Sequence, residues 1–271
     1  MEMTWIQIII LGLVQGAAEV LPLSGAGFSA IARSLMGVPL EDGPGLYGGL
    51  IQLAVVAPIC LAFHRDFRNM RQSARFHRGR LPEQVRLARR TRALLALGTI
   101  PMLLPVALTG ALNRIGQSLP RVSVLLLLGG TALFACDRVS RGSRDARSAT
   151  LADGLVVGIA QAVGCVPGLS RTGLALGAGI AMGLSPMFAM RYGFYLAVPA
   201  LILQAAMQLL LSVRSGIDFH PAYVLGMALA ALSSYGALRL LRFLVRRDAT
   251  GGFAYGMWGA GMLGLIVYLI C

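Results

Sequence analysis

The sequence Pro167-Gly168-Leu169-Ser170-Arg171-Thr172-Gly173 places one arginine between two apolar segments, roughly 151–166 and 174–190, that contain almost no charge. A guanidinium at membrane depth costs about 3 kcal/mol or more unless it has a partner or a wet cavity. Its planar fork of donors suits phosphate or carboxylate groups, and small neighbouring residues free backbone N–H groups for an anion. The segment therefore predicts a functional site inside the membrane. The alternative is an arginine that snorkels from a helix end to the lipid headgroups.

The composition of the whole chain supports a membrane location for this segment. The 271 residues are 56% hydrophobic and only 13% charged, with a mean hydropathy of +0.73. These values predict an all-α polytopic membrane protein with a single integral membrane domain, residues 1–271. The net charge of +13 does not indicate a nucleic-acid partner, because the basic residues lie in short loops between apolar segments, as the positive-inside rule requires.

A repeat in the sequence locates the predicted site. Three clusters recur at a constant offset of 146 residues: Gly12-Leu13-Val14-Gln15 and Gly158-Ile159-Ala160-Gln161, Leu23-Ser24-Gly25-Ala26-Gly27 and Leu169-Ser170-Arg171-Thr172-Gly173, Met36-Gly37 and Met182-Gly183. Both copies are hydrophobic segments that proline interrupts, at Pro22 and Pro167. Paired, interrupted segments of this kind indicate a binding site near the middle of the membrane. Ordinary glycine-kinked helices are the alternative interpretation.

The repeat predicts an inverted topology. Residues about 5–37 and 151–183 are expected to form re-entrant helix–loop–helix hairpins, and about six transmembrane helices are expected elsewhere: 46–63, 93–112, 122–136, 186–213, 221–245 and 252–271. Each half, repeat 1 at about 1–136 and repeat 2 at about 151–271, then has one hairpin and three spans. Because three is odd, the second half is inverted relative to the first, and the two hairpin tips meet near the midplane.

The arginines test this topology. The segments 64–92 and 137–150, predicted as basic cytoplasmic loops, carry ten and four arginines. Five more fall on the same side: Arg191, Arg239, Arg242, Arg246 and Arg247. The other side receives only Arg33, Arg114, Arg121 and Arg214, with Glu41 and Asp42 nearby. The arginine-rich side is therefore predicted to be cytoplasmic. Full crossings followed by re-entrant returns would instead place Arg239–Arg247 opposite the main basic loop.

The two hairpin tips would build a cavity with few chemistry-capable groups: Gln15, Glu19 and Ser24 from the first hairpin, and Gln161, Ser170, Arg171 and Thr172 from the second. Gln15 and Glu19 share one helix face at i, i+4 spacing. Arg171 is the expected partner of Glu19, because an unpaired carboxylate in this segment would protonate. Together with the neighbouring glycines these groups indicate a phosphate-handling site, with or without a divalent metal. The alternative is that the Glu19–Arg171 pair only joins the repeats.

These residues resemble the two signature motifs of the undecaprenyl pyrophosphate phosphatase family, also called the bacitracin-resistance protein family. The resemblance rests on Gly12-Leu13-Val14-Gln15-Gly16-Ala17-Ala18-Glu19-Val20-Leu21-Pro22-Leu23-Ser24-Gly25-Ala26-Gly27 and on Pro167–Gly173, and it extends to Leu196-Ala197-Val198-Pro199. It implies an inverted repeat with two re-entrant hairpins in the bacterial inner (cytoplasmic) membrane. It also implies an enzyme that removes the terminal phosphate from the C55 polyprenyl pyrophosphate at the outer membrane face, which recycles the carrier lipid for envelope polymers.

The resemblance also implies roles for individual residues. Catalysis is expected from Glu19, Ser24 and Arg171, and substrate binding from Gln15, Gly25, Gly27, Gln161, Ser170, Arg171, Thr172 and Gly173. A Mg²⁺ or Ca²⁺ ion would bind at Glu19. The expected partners are a polyprenyl (pyro)phosphate lipid and the membrane, with a homodimer left open.

Three positions depart from the family pattern. The family has a second glutamate at the position of Gln15, a serine proposed as nucleophile at Gly25, and a histidine at Phe28. Gln15 carries no charge for a cation, and Ser24 lies one position from the family's serine. Two hypotheses follow. The chain is a membrane pyrophosphatase that uses Ser24 or a water activated by Glu19, or it is a paralogue that binds or translocates polyprenyl phosphate without hydrolysis.

Overall fold

The fold follows from a computed structural model that describes residues 3–40, 45–75, 83–138, 142–214 and 219–270. The elements of these residues are α1 (Trp5–Val20), α2 (Gly25–Leu35), α3 (Gly45–Ala62), α4 (His64–Arg75), α5 (Glu83–Thr99), a 3-10 turn (Ile100–Met102), α6 (Leu103–Ala107), α7 (Thr109–Gly116), α8 (Leu119–Asp137), α9 (Leu151–Val163), α10 (Arg171–Ala181), α11 (Pro186–Arg214), α12 (Ala222–Arg246) and α13 (Gly252–Ile270). Glu41 and Asp42, predicted near the arginine-poor side, lie outside the described residues.

Five of the helices are long and apolar enough to cross a membrane, namely α3, α8, α11, α12 and α13. A sixth crossing is obtained if the bent segment Val85–Gly116 is one span. Large apolar side chains point outward along these helices, as in Leu128, Val224 and Leu232, which is the surface that lipid covers. The prediction of an all-α, multi-pass membrane protein is confirmed.

The predicted span 93–112 is not one straight helix. The segments Val85–Ala107 and Thr109–Gly116 are bent by 65° at Leu108. Pro101 and Pro105 lack the N–H groups that would bond to the preceding turn, so the helix is weakened before the bend. The Thr109 hydroxyl then donates to the Val106 carbonyl at 2.7 Å. As a result α7 turns towards the hairpin tips instead of continuing across the bundle.

The segment 64–92, predicted as a basic cytoplasmic loop between membrane spans, is largely helical in its described part. Helix α4 fills His64–Arg75 and α5 begins at Glu83, and residues 76–82 of this segment lie outside the described residues. The helices form because Phe67, Met70 and Ala88 pack against the main apolar core while the arginines stay on the outer face. An amphipathic helix at a membrane surface tolerates this charge, because the charged residues lie on its solvent face.

The two predicted hairpins are present as packed helix pairs, α1 with α2 and α9 with α10. Their caps follow the 146-residue repeat. Thr4 and Thr150 cap the first helices with capping boxes. Ser24 and Ser170 cap the second helices, accepting hydrogen bonds from the N–H groups three residues on, at 3.2 and 3.0 Å. The same side-chain chemistry therefore begins each helix of both hairpins.

The open ends of the two hairpins are closed by different side chains. In the first, Gln7 Nε2 donates to the Met36 carbonyl at 3.1 Å. In the second, Arg144 Nη1 donates to the Met182 carbonyl at 2.9 Å, and Arg144 is held by an ion pair with the buried Asp153. Met36 and Met182 are the predicted repeat partners. The accepting carbonyl therefore lies at the same repeat position in both hairpins, and only the donor side chain differs.

The hairpins enter the bundle from opposite ends. Trp5, at the base of the first, contacts His220 just before α12 begins. The base of the second continues through Leu184 into the first turn of α11, which lies beside Arg242 and Arg246 in the last turns of α12. Helix α1 packs on α12, and α9 packs correspondingly on α5. This reciprocal packing supports the predicted inverted repeat, which together with the division into repeats 1 and 2 stays a prediction.

Candidate active site

An ion pair joins the two hairpin tips. Glu19 lies in the last turn of α1, and Arg171 is the first residue of α10, directly after the Ser170 cap. Arg171 Nη2 donates to Glu19 Oε1, and the side chains are only 8% and 12% exposed respectively. Arg171 Nη1 also donates to Gln204 Oε1 of α11 at 3.2 Å. The guanidinium is therefore paired and fixed in orientation, which is the condition for an arginine at this depth.

Two further hydrogen bonds hold the tips in register. Gly168 N–H donates to Ser24 Oγ at 3.0 Å, and Thr172 Oγ1 donates to the Glu19 carbonyl at 3.2 Å. Gly168 has a φ of +101°, a backbone conformation that residues with a Cβ rarely adopt. A Cβ added to Gly168 would also lie 2.7 Å from the Val122 carbonyl oxygen. Glycine is therefore required where the second tip passes between α8 and the first tip.

Gly25 makes room for the Glu19 carboxylate. An ideal Cβ built on Gly25 would lie 2.0 Å from Glu19 Oε2 and 3.3 Å from Glu19 Cα. The carboxylate therefore rests directly against the first turn of α2, where the partial positive charge of a helix N-terminus stabilises an anion. A serine at Gly25, as the family pattern has it, would displace the carboxylate from this position.

A cavity with both polar and apolar lining residues surrounds the ion pair and extends away from the tips. It comprises two adjoining spaces of about 90 and 60 Å³. Both spaces are lined by Glu19, Ala26, Gln52, Cys165 and Gln204. The larger space continues past Asn113 to Arg33, Leu40 and Gly116, and the smaller one reaches Arg171. Glu19 is the sole acid among these described lining residues.

The structure brings only some of the predicted residues to this cavity. Gln15, Glu19, Ser24, Gly25 and Arg171 line it. The remaining predicted binding residues do not, namely Gly27, Gln161, Ser170, Thr172 and Gly173. Their roles in the structure are to cap α2 and α10, to join the tips or to pack helices. The repeat identified Gly27, Ser170 and Gly173 because both copies need the same cap, and cap residues do not have to face the substrate.

Gln161 and its repeat partner Gln15 have different surroundings in the structure. The residue is 1% exposed, and its amide lies against the backbone of α11. With the amide oriented to satisfy both atoms, Nε2 donates to the Gly193 carbonyl at 3.2 Å and Oε1 accepts from Ala197 N–H at 3.1 Å. Gln161 therefore anchors α9 on α11, whereas its repeat partner Gln15 lines the cavity.

The sequence analysis missed four amides in the cavity lining: Gln52 on α3, Asn113 on α7, and Gln204 and Gln208 on α11. Gln208 Nε2 donates to Asn113 Oδ1 at 3.4 Å. The oxygens Oε1 of Gln52 and Gln208 are buried and have no hydrogen-bond partner in the described part of the chain. Buried acceptors without donors indicate a place for a hydroxyl, a water or a protonated phosphate. Isolated amides inside apolar spans were the signal that could have found them.

The described cavity lining offers one carboxylate, that of Glu19, to a divalent cation, so a Mg²⁺ or Ca²⁺ ion at Glu19 stays a prediction. Among the described residues, no group of three or more His, Cys, Asp or Glu side chains is placed to hold a metal ion. The carboxylate at the cavity is already paired with Arg171, and amide oxygens alone provide no charge for a hard cation. The cavity is suited to an anionic group that Arg171 binds and amides orient.

Comparison with known proteins identifies the family to which this chain belongs. The sequence model of the family described as bacitracin resistance protein BacA matches residues 8–263. A Micrococcus luteus protein named undecaprenyl-diphosphatase is 32% identical over 99% of this chain and 97% of its own length. Proteins of the same name from Syntrophotalea carbinolica and Carboxydothermus hydrogenoformans are 32% and 27% identical, each over 96% of this chain and 97% and 96% of their own lengths. The chain belongs to the bacitracin resistance protein BacA family.

Proposed function

We propose that this protein hydrolyses polyprenyl pyrophosphate, with undecaprenyl pyrophosphate as substrate, to the lipid monophosphate and inorganic phosphate. The names of its relatives supply the substrate class. The observation that carries the proposal for this chain is the buried Glu19–Arg171 pair inside an amide-lined cavity. A guanidinium and a carboxylate are the two groups that phosphate binding and water activation require.

The Glu19–Arg171 ion pair indicates the order of the proposed reaction steps. When a terminal phosphate enters the cavity, its oxygens compete with Glu19 for the Arg171 fork, because a phosphate dianion attracts a guanidinium more strongly than a carboxylate does. Glu19 is then released beside the phosphorus and accepts a proton from a water molecule. The water oxygen forms a bond to the terminal phosphorus as the bridging P–O bond breaks. The lipid monophosphate leaves, and Arg171 stabilises the charge that develops on the phosphoryl oxygens.

Water is preferred to Ser24 as the attacking group. Ser24 is only 3% exposed, and its Oγ accepts hydrogen bonds from both Gly27 N–H and Gly168 N–H. Both lone pairs are therefore engaged in holding the tips. A hydroxyl in that state is a poor nucleophile, although it contributes to the shape of the site.

The cavity position supports action at the outer face of the bacterial inner membrane. The cavity extends towards Arg33, Leu40 and Gly116, at the end of the bundle that the positive-inside rule assigns to the outside. A Mg²⁺ or Ca²⁺ requirement stays a prediction of the resemblance. Because the cavity offers one paired carboxylate, no step of the proposed reaction passes through a metal ion.

Phosphate release from purified protein in detergent tests the proposal. Undecaprenyl pyrophosphate is supplied with chelator, Mg²⁺ or Ca²⁺, and an acid quench measures any covalent phosphoryl-enzyme. We expect one phosphate per lipid under at least one condition, and no phosphoryl-enzyme. Lipid binding without release under every condition would contradict the proposal and favour a paralogue that binds or translocates the lipid.

A further inference from the structure

We propose that a second phosphate-binding site lies at the opposite end of the bundle, in a cleft formed by Arg65, Arg191, Arg242 and Arg246. We refer to these four residues as the arginine cleft. Its ligand class is a phosphate oxyanion, carried either by a lipid headgroup at that membrane face or by free inorganic phosphate. The site shares no residue with the cavity around Arg171.

The arginine cleft is a concave space and not only a charged surface. Its volume is about 440 Å³, which is ample for a phosphate group with part of a glycerol or prenyl chain. Three separate elements contribute, because Arg65 lies on α4, Arg191 on α11, and Arg242 and Arg246 on α12. The convergence of distant segments on one space is typical of ligand sites.

The charges in this space are strongly unbalanced. Four guanidinium groups face one lining carboxylate, that of Asp66, and Asp66 Oδ2 already accepts a hydrogen bond from the Tyr195 hydroxyl at 2.7 Å. None of the four arginines forms an ion pair with another described side chain. Like charges held around a concavity repel one another, and the low-dielectric walls concentrate their field. A bound dianion removes that repulsion.

Arg242 is held in place for such a ligand. Its guanidinium stacks over the Phe63 ring at 4.3 Å, and Nη2 donates to the Ala62 carbonyl at 2.8 Å. These two contacts fix the plane of the guanidinium and leave other N–H groups free. A pre-oriented fork loses less entropy when it binds phosphate than a mobile side chain does.

The experiment compares two double variants in the Arg171→Gln background, so that the first cavity does not contribute. The test variant is Arg191→Gln/Arg246→Gln, which removes two exposed residues of the arginine cleft and keeps Arg242. The control is Arg239→Gln/Arg247→Gln, which removes the same charge from α12 and its end but leaves the cleft lining intact. Calorimetry in detergent measures binding of inorganic phosphate and of dioctanoyl phosphatidic acid. Thermal unfolding verifies folding, and Arg191→Gln alone serves as a second test variant.

We expect the test variant to weaken binding of at least one probe by about tenfold or more, and the control to stay within twofold. Weakened binding of inorganic phosphate alone would identify the free anion as the ligand of the cleft. Weakened binding of phosphatidic acid alone would identify a lipid headgroup as the ligand. Equal losses in both double variants would overturn the proposal, because the effect would then be diffuse surface charge. No binding of either probe before substitution of the cleft would overturn it as well. Neither result bears on hydrolysis at Arg171, which the phosphate-release assay tests separately.

Discussion

Glu19 and Arg171 are 152 residues apart in the sequence, and their side chains meet in an ion pair that is mostly buried between the tips of two helical hairpins. Each residue has a reason to need the other, because neither a carboxylate nor a guanidinium is tolerated alone at this depth. The same two groups are those that a phosphate substrate would separate. The pair therefore links the stability of the tips to the proposed chemistry.

Replacement of Arg171 should show whether the fork or only the charge matters. We expect Arg171→Lys to lower phosphate release by about 100-fold or more, close to the effect of Arg171→Ala, because an ammonium lacks the rigid planar fork of donors that binds two phosphate oxygens side by side. Steady-state rates for the three proteins measure this. A lysine variant within about threefold of wild type would rule out a bidentate phosphate role.

Gly25 provides a test of the space occupied by Glu19. We expect Gly25→Ala to push the carboxylate out of the ion pair, since the new Cβ would lie 2.0 Å from Glu19 Oε2. Hydrolysis should fall by about tenfold or more. The matched control is Gly259→Ala, where an added Cβ meets nothing within 4 Å. Equal rates in the two variants would show that the carboxylate position is not critical.

Gln15→Glu should introduce metal dependence. It adds a second carboxylate one helical turn from Glu19, and two carboxylates can share one divalent ion. We expect turnover to rise with Mg²⁺ or Ca²⁺ in the variant and to fall below wild type with chelator, because the new charge competes for Arg171. The measurement is the turnover of the variant as a function of the concentration of each metal. An unchanged rate that does not respond to metal would contradict the expectation.

Gln161 and Gln204 should give different defects. Gln161→Ala removes both hydrogen bonds to the α11 backbone and should cost about 1–3 kcal/mol of stability, with little change in KM. Gln204→Ala removes the second support of Arg171 and should raise KM while thermal unfolding changes little. Melting curves and steady-state kinetics of both variants measure these two defects. A larger change of KM in Gln161→Ala than in Gln204→Ala would contradict the expectation.

Cys165 reports on access to the cavity. It lines both spaces beside Glu19, so a small thiol-specific methanethiosulfonate reagent should block hydrolysis, and bound substrate should protect. Cys60→Ala and Cys136→Ala are the controls, because neither residue lines the cavity. Continued inhibition in a Cys165→Ala protein would place the relevant thiol elsewhere.

The repeat at an offset of 146 residues was sufficient to predict the hairpins, because the residues that begin their helices recur in both copies. Ser24 and Ser170 begin the second helices in the same way, and local capping is visible in sequence. The Glu19–Arg171 contact was also predictable, since two lone opposite charges in apolar segments have few other solutions.

Other features depend on packing that sequence does not show. The direction of the Gln161 side chain is set by the backbone of α11, with which its amide forms hydrogen bonds. The cavity amides occur singly in α3, α7 and α11 or one turn apart, so no pattern groups them until the helices meet. The helix at 64–75 has few apolar residues, and Phe67 and Met70 contact the apolar core only once the helices have packed.

The most direct test of the proposed mechanism is the rate of phosphate release from undecaprenyl pyrophosphate by Glu19→Gln beside wild type, at saturating substrate. The substitution keeps the size of the side chain and its contact with Arg171 but cannot accept a proton from water. The proposed mechanism predicts a rate lower by about 10²–10⁴-fold, with substrate affinity within about threefold of wild type. A Glu19→Gln rate within threefold of wild type would contradict it.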